Sequence, residues 1–126
     1  MRLEAAALLV PGYAEGLRFF VDGLGFRLLA DEDQGGGKRW VLVEPPGGGT
    51  PLLLARAATP DQAAAVGNQH GGRVGFFLRT DDFDAAQARL LAAGAVFEEA
   101  PRREPYGTVA VWRDPWGNRW DLLGPP

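Results

Sequence analysis

The stretch Leu17-Arg18-Phe19-Phe20-Val21-Asp22-Gly23-Leu24-Gly25-Phe26 decides how the first half of the chain is read. Leu17, Phe20, Val21 and Leu24 recur at helical spacing and form the apolar stripe of an amphipathic helix that begins near Ala14. Gly23 and Gly25 close it, because glycine takes the left-handed backbone that ends a helix at no steric cost. On the N-terminal side, Leu3 to Val10 reads as a strand stopped by Pro11-Gly12. On the other side, Phe26 to Ala30 reads as a short strand and Asp31 to Gly37 as a polar turn. Lys38 to Glu44 is a strand, Pro45 to Gly49 a turn and Pro51 to Arg56 a further strand. The order is β, α, β, β, β.

The same order then returns. Thr59 caps a short helix with Pro60 in its first turn, running to about Val66, and Gly67 to Gly72 is a loop. Val74 to Arg79 is a strand. Asp81 or Asp82 caps a helix carrying Phe83, Ala86, Leu90 and Leu91, which Gly94 ends. Val96 to Glu99, Thr108 to Arg113 and Asn118 to Leu123 are strands, with Asp114-Pro115-Trp116-Gly117 turning between the last two. A single offset of 69 aligns Leu9 with Leu78, Glu15 with Asp84, Gly25 with Gly94, Pro46 with Pro115 and Gly48 with Gly117. A repeated module is the simplest account. The expectation is therefore one α+β domain over 1–126, made of two βαβββ modules at about 1–58 and 71–126, with a linker at 59–70.

Composition sets further bounds. At 126 residues, 46% hydrophobic and 23% charged, the chain has enough apolar material for a folded core. A net charge of −3 argues against nucleic acid or an anionic membrane surface as partner. With no cysteine there are no disulfides, thiolate nucleophiles or Cys-based metal sites. The apolar run Ala5 to Val10 is short and preceded by Glu4, so it reads as neither a signal peptide nor a membrane span. A cytoplasmic protein is expected, and the wealth of Ala, Gly, Arg and Pro suggests a GC-rich bacterial source.

Three segments carry a family resemblance. The aromatic pair followed by Leu24-Gly25-Phe26, the Thr80-Asp81-Asp82-Phe83-Asp84-Ala85-Ala86 helix start, and the Asp114-Pro115-Trp116-Gly117-Asn118 turn entering a last strand resemble the vicinal oxygen chelate superfamily. That superfamily takes in glyoxalases, bleomycin resistance proteins and extradiol dioxygenases. The resemblance implies two modules curled into an incompletely closed, cup-shaped barrel, with a small-molecule cavity, and a homodimer. Metal-using members hold one divalent ion through residues of the first and last strands of each module. Here those positions fall on Ala5 or Ala6, on Leu52 or Leu53, on Val74 or Gly75, and on Asp121. One carboxylate does not replace a water shell, so no metal and no other cofactor is expected.

Asp121 is thus the central candidate. Strand alternation turns it toward the expected cavity, where it serves as a ligand-binding carboxylate or general base, or pairs with Arg79, Arg113 or Arg119. Trp40 and Trp112 lie on strands that line the cup in relatives and are candidates for stacking on a flat ligand. Tyr106 precedes a strand in a loop that borders the cavity in relatives, and Arg79 shares strand parity with Gly75 and Phe77, so both are candidate ligand contacts. Trp120 alternates away from Asp121. His70 is the only histidine and reads as a solvent-exposed loop residue. Trp116, Phe76 and Leu52 to Leu54 are candidates for the dimer interface. The function expected is metal-independent binding of a small aromatic or cationic molecule, as in the bleomycin resistance branch. The alternative is an enzyme of lyase, isomerase or dioxygenase type that uses Asp121 with or without a divalent metal.

Overall fold

Alternation of apolar residues builds the first sheet. Leu8 and Val10, Val41 and Val43, and Leu52 and Leu54 occupy every second position of their strands, and all six are buried. In the computed structural model, which describes residues 1–126, they form the buried face of a unit spanning Met1–Val66. Strand β1 (Ala6–Val10) runs parallel to β4 (Leu52–Arg56), which pairs antiparallel with β3 (Arg39–Glu44), and β2 (Arg27–Asp33) forms the far edge. Each large aliphatic residue so buried contributes about 1.5–3 kcal/mol. Strand β2 extends through Asp31, Glu32 and Asp33, which the polar composition had suggested as a turn. Their backbones pair with Val41, Trp40 and Arg39, and Arg39 binds the Asp31 carboxylate through two nitrogens. Main-chain pairing and a forked ion pair outweigh the low strand propensity of these acids.

The helix of this unit differs from a regular α-helix. Helix α1 (Tyr13–Leu17) passes straight into a π-helical segment, Arg18–Gly23. Leu24 N–H bonds to Phe19 C=O, a five-residue step. The wide turn buries the adjacent rings of Phe19 and Phe20, which meet edge to face with centroids 5.0 Å apart. Tyr13 anchors the other end, its hydroxyl accepting the Arg39 backbone N–H at 2.9 Å. Helix α2 (Pro60–Ala65) is capped by Thr59, whose Oγ1 accepts Gln62 N–H.

A second unit spans Gly67–Pro126. Its sheet runs β5 (Val74–Arg79), β9 (Arg119–Leu123), β8 (Gly107–Arg113) and β6 (Val96–Phe97). A short strand β7 (Arg102–Glu104), not expected from the sequence, also pairs with β8. Charged residues fill β7, so it lacks the apolar alternation that announces a strand. Helix α3 (Phe83–Ala93) starts at Asp82, whose carboxylate accepts Ala85 N–H, a cap worth about 1 kcal/mol. It ends at Gly94, at φ 105°. The fold is mixed α+β, with an open sheet in each unit and no closed barrel.

Hydrogen bonding refines the repeat. The first helical residues, Tyr13 and Phe83, are 70 apart, as are Leu8 and Leu78, which pair with Leu54 and Leu122 of the last strands. The helix ends are 69 apart: Gly25 bonds back to Val21 where Gly94 bonds back to Leu91, and Phe26 to Phe20 where Ala95 bonds to Leu90. The π turn therefore holds one inserted residue in the first unit. From Val43 to Leu52 the chain takes one residue more than from Trp112 to Trp120, so the last strands stand 68 apart. The constant offset of 69 is corrected accordingly. Leu9 does not match Leu78, nor Glu15 Asp84, because an odd slip moves a strand residue to the other face. The first-unit counterpart of Asp121 is Leu53, as each pairs with the equivalent residue of its parallel neighbour, Phe77 or Ala7.

Candidate functional site

The turn before β9 sets the site. Asp114 is buried, and its Oδ1 accepts the backbone N–H groups of Trp116, Gly117 and Asn118 at 3.0–3.1 Å. Its Oδ2 accepts Asn118 Nδ2 at 2.9 Å and the indole Nε1 of Trp120 at 3.0 Å. Trp120 is thereby held on the buried face, stacked between Phe76 (4.4 Å) and Trp112 (4.9 Å). Alternation then puts the next residue, Asp121, on the opposite face.

On that face Asp121 lies between two cross-strand neighbours, Phe77 on β5 and Val111 on β8. Phe77 is 65% exposed, large for an aromatic ring on a strand. Asp121 itself is half-buried, and its Oδ1 is fully covered with no hydrogen-bond partner. Burial raises its pKa above the usual carboxylate value; Arg102 opposes the rise and Glu99 adds to it. The surrounding charges are paired with one another. Glu98 holds Arg119 at 2.8 Å and Arg113 at 3.0 Å, and Arg102 bridges Glu99 (2.6 Å) and Glu104 (2.8 Å). The bond from Arg119 holds the Glu98 carboxyl below its usual range, as the bond from Arg102 does for Glu99. None of the arginines considered from the sequence, Arg79, Arg113 and Arg119, forms an ion pair with Asp121.

The other candidates are distributed as follows. Arg79 is exposed, two residues beyond Phe77 on the same face. Tyr106 is 65% exposed in the tight turn between β7 and β8. Trp40 is half-buried on β3, in the first unit, on the face away from Val41 and Val43. Trp112 corrects the sequence reading. It pairs with Trp120, shares its face and is 0% exposed, so it offers no ring surface for a ligand to stack on. The one-residue alternation that turns Asp121 outward turns Trp112 inward. Leu52 and Leu54 belong to the buried face, while Leu53 and Phe76 are half-buried, Phe76 stacking against Trp120. Trp116 stays half-buried in its turn. His70 is exposed but positioned: its ring meets Phe76 edge to face at 5.0 Å and lies where a Cβ on Gly75 would stand, 2.2 Å from Nδ1. Glu99 and Arg102, which shape the charge around Asp121, were missed. Glu99 ends a strand that was read and Arg102 lies beyond it, and nothing in their spacing marks either.

The residues present do not fit the divalent metal that the sheet architecture suggests, since no three His, Cys, Asp or Glu side chains converge as a donor set. A shallow depression of about 510 Å³ lies at the start of α3, lined in part by Asp82, Asp84, Arg103 and Thr108. None of the candidate residues lines it. Within it, the Asp82 carboxylate is occupied as the cap of α3.

Two βαβββ units with open sheets define a glyoxalase-like α+β protein. The Glyoxalase/Bleomycin resistance protein/Dioxygenase superfamily matches residues 2–122, and the chain belongs to that superfamily. It is 50% identical over 119 residues to an uncharacterized protein of Shewanella frigidimarina (strain NCIMB 400), covering 93% of this chain and 88% of that one. Among solved structures it is similar to TnmS3, an antibiotic binding protein from Streptomyces sp. CB03234, at 33% identity and TM-score 0.78, covering 100% of this chain and 97% of that one. A glyoxalase/bleomycin resistance protein from the same organism is similar at 34% identity and TM-score 0.73, covering 94% and 96% of the two chains. No helix is long and apolar enough to cross a membrane.

Proposed function

We propose that the protein binds a small aromatic or cationic molecule without a metal, on the sheet face that carries Asp121. The observation that carries this reading is the covered, unpartnered Oδ1 of Asp121 beside the exposed ring of Phe77. A covered oxygen without a partner destabilises the carboxylate charge, which a cationic or donor group meeting the exposed part of this half-buried side chain offsets. Likeness to an antibiotic binding protein supports the same reading, as does the missing donor set for metal chemistry. Tyr106, Arg79 and Trp40 remain contact candidates, as exposed or half-buried residues. A cytoplasmic location and a symmetric homodimer belong to the same proposal. Light scattering at micromolar concentration checks the dimer, with twice the 13.5 kDa chain mass expected.

A library of small aromatic and cationic compounds, screened by thermal shift, tests the function. A ligand at a hundred times its Kd adds about 2.7 kcal/mol to the folded state and raises the melting temperature accordingly. A library that shifts nothing would count against the binding reading. A second reading has its own observation: desolvation raises the proton affinity of Asp121, the property required of a general base near neutral pH. On that reading the protein is a lyase, isomerase or dioxygenase-type member of its superfamily. Turnover of the bound compound, abolished in Asp121→Asn, distinguishes it from simple binding.

A further inference from the structure

Resting on the binding reading above, we infer that the ligand is an N–H-bearing cation, an amine or amidine, whose charged nitrogen pairs with Asp121 while its planar apolar part lies on Phe77. The inference comes from counting which charges on this face are already taken. Arg113 and Arg119 converge on one carboxylate, Glu98, and Arg102 is shared between Glu99 and Glu104. Arg79, the remaining arginine on this face, makes no ion pair with Asp121. Asp121 is therefore the one carboxylate of this cluster without an ion pair, Arg102 acting on it only from a distance while bonded to Glu99 and Glu104.

Chemistry narrows the ligand further. A half-buried carboxylate accepts hydrogen bonds as well as attracting charge, so the tightest partner brings an N–H together with its positive charge. A quaternary ammonium has no such hydrogen. An anionic ligand would add repulsion from Asp121, Glu98, Glu99 and Glu104. A neutral flat ligand would cover Phe77 yet leave the half-buried carboxylate without a counter-charge. A metal ion would find too few donors. The exposed ring, one cross-strand step from the carboxylate, fits a flat group within a few ångströms of the cationic nitrogen.

The test uses three probes of one shape on the ¹⁵N-labelled full chain, followed by NMR: 2-naphthylmethylamine, its N,N,N-trimethyl derivative and the neutral 2-naphthylmethanol. The primary amine is expected to bind at least about tenfold more tightly than the other two. Its shift perturbations are expected to centre on the amides of Phe77, Val111 and Asp121. In Asp121→Asn the preference should fall to about one. Equal affinities of all three in the wild type would overturn the cation inference and leave the small-molecule reading standing. Perturbations centred elsewhere would overturn the assignment to Asp121, even if the variant failed to fold. If none of the three binds, the binding reading on this face fails, and the inference with it.

Discussion

Asp114 and Trp120 are joined by a 3.0 Å hydrogen bond inside the second unit, and both are nearly inaccessible to solvent. The bond links a turn to a strand, since the same carboxylate collects three backbone N–H groups of residues 116–118. Removing it leaves several buried donors unsatisfied at once. Asp114→Ala is expected to cost about 3 kcal/mol, and Trp120→Phe, which deletes a single donor and keeps a ring, about 1–2 kcal/mol. Urea denaturation measures both, and equal losses would show that the backbone bonds carry nothing.

The rings of Trp112 and Trp120 stack 4.9 Å apart at an interplanar angle of 20°. Two indoles held this close and this rigidly couple electronically. An exciton couplet is expected in the far-ultraviolet circular dichroism spectrum, absent from Trp112→Phe and from Trp120→Phe. Its persistence in either variant would place the two rings apart. Since Trp112 is fully buried, its fluorescence should resist quenching by acrylamide while the protein is folded.

Asp121 links stability to pH. Its folded pKa is raised, chiefly by burial, so the folded state holds the proton more tightly than the unfolded chain. The favourable contribution is complete below the unfolded pKa and is lost as pH rises through the folded value. At neutral pH the ionised form is the less stable one. Asp121→Asn should therefore melt about 1–3 °C above the wild type at pH 7, a modest gain because solvent still reaches the group, and should lose that advantage in acid. A variant less stable than the wild type at pH 7 would mean that the carboxylate has a partner in solution.

The inserted residue of the π-helical segment gives a fourth test. Asp22 is exposed there, and removing it returns the helix to the count found in α3. Deleting Asp22 should cost no more than about 1 kcal/mol, because a regular hydrogen-bond ladder replaces the wide turn. Deleting the exposed Ala92 from α3, which has no residue to spare, should cost several times as much, since it puts Gly94 and the buried Ala95 out of phase with Leu90. Thermal melts of the two deletions decide it.

Much of this protein was legible in the sequence because it is locally encoded. The order of elements follows from apolar spacing, and Thr59, Asp82 and Gly94 mark helix ends through bonds to residues three or four positions away. The Asp114 to Asn118 turn likewise closes on itself. The single carboxylate at Asp121 among apolar equivalents was visible too. Other features depend on partners far along the chain. The extra residue in the π turn shows only in which carbonyl each amide reaches, and it shifts the repeat by one, enough to reverse a strand's faces. That alternation buried Trp112 and left Phe77 exposed, although both are aromatic residues on apolar strands. Whether Arg113 and Arg119 belonged to Asp121 or to Glu98 was undecidable from spacing, because an ion pair is fixed by side-chain geometry across strands 15 to 21 residues apart. Local chemistry set the elements, their ends and the alternation along each strand, and tertiary packing alone decided which strand faces are covered and which charges meet.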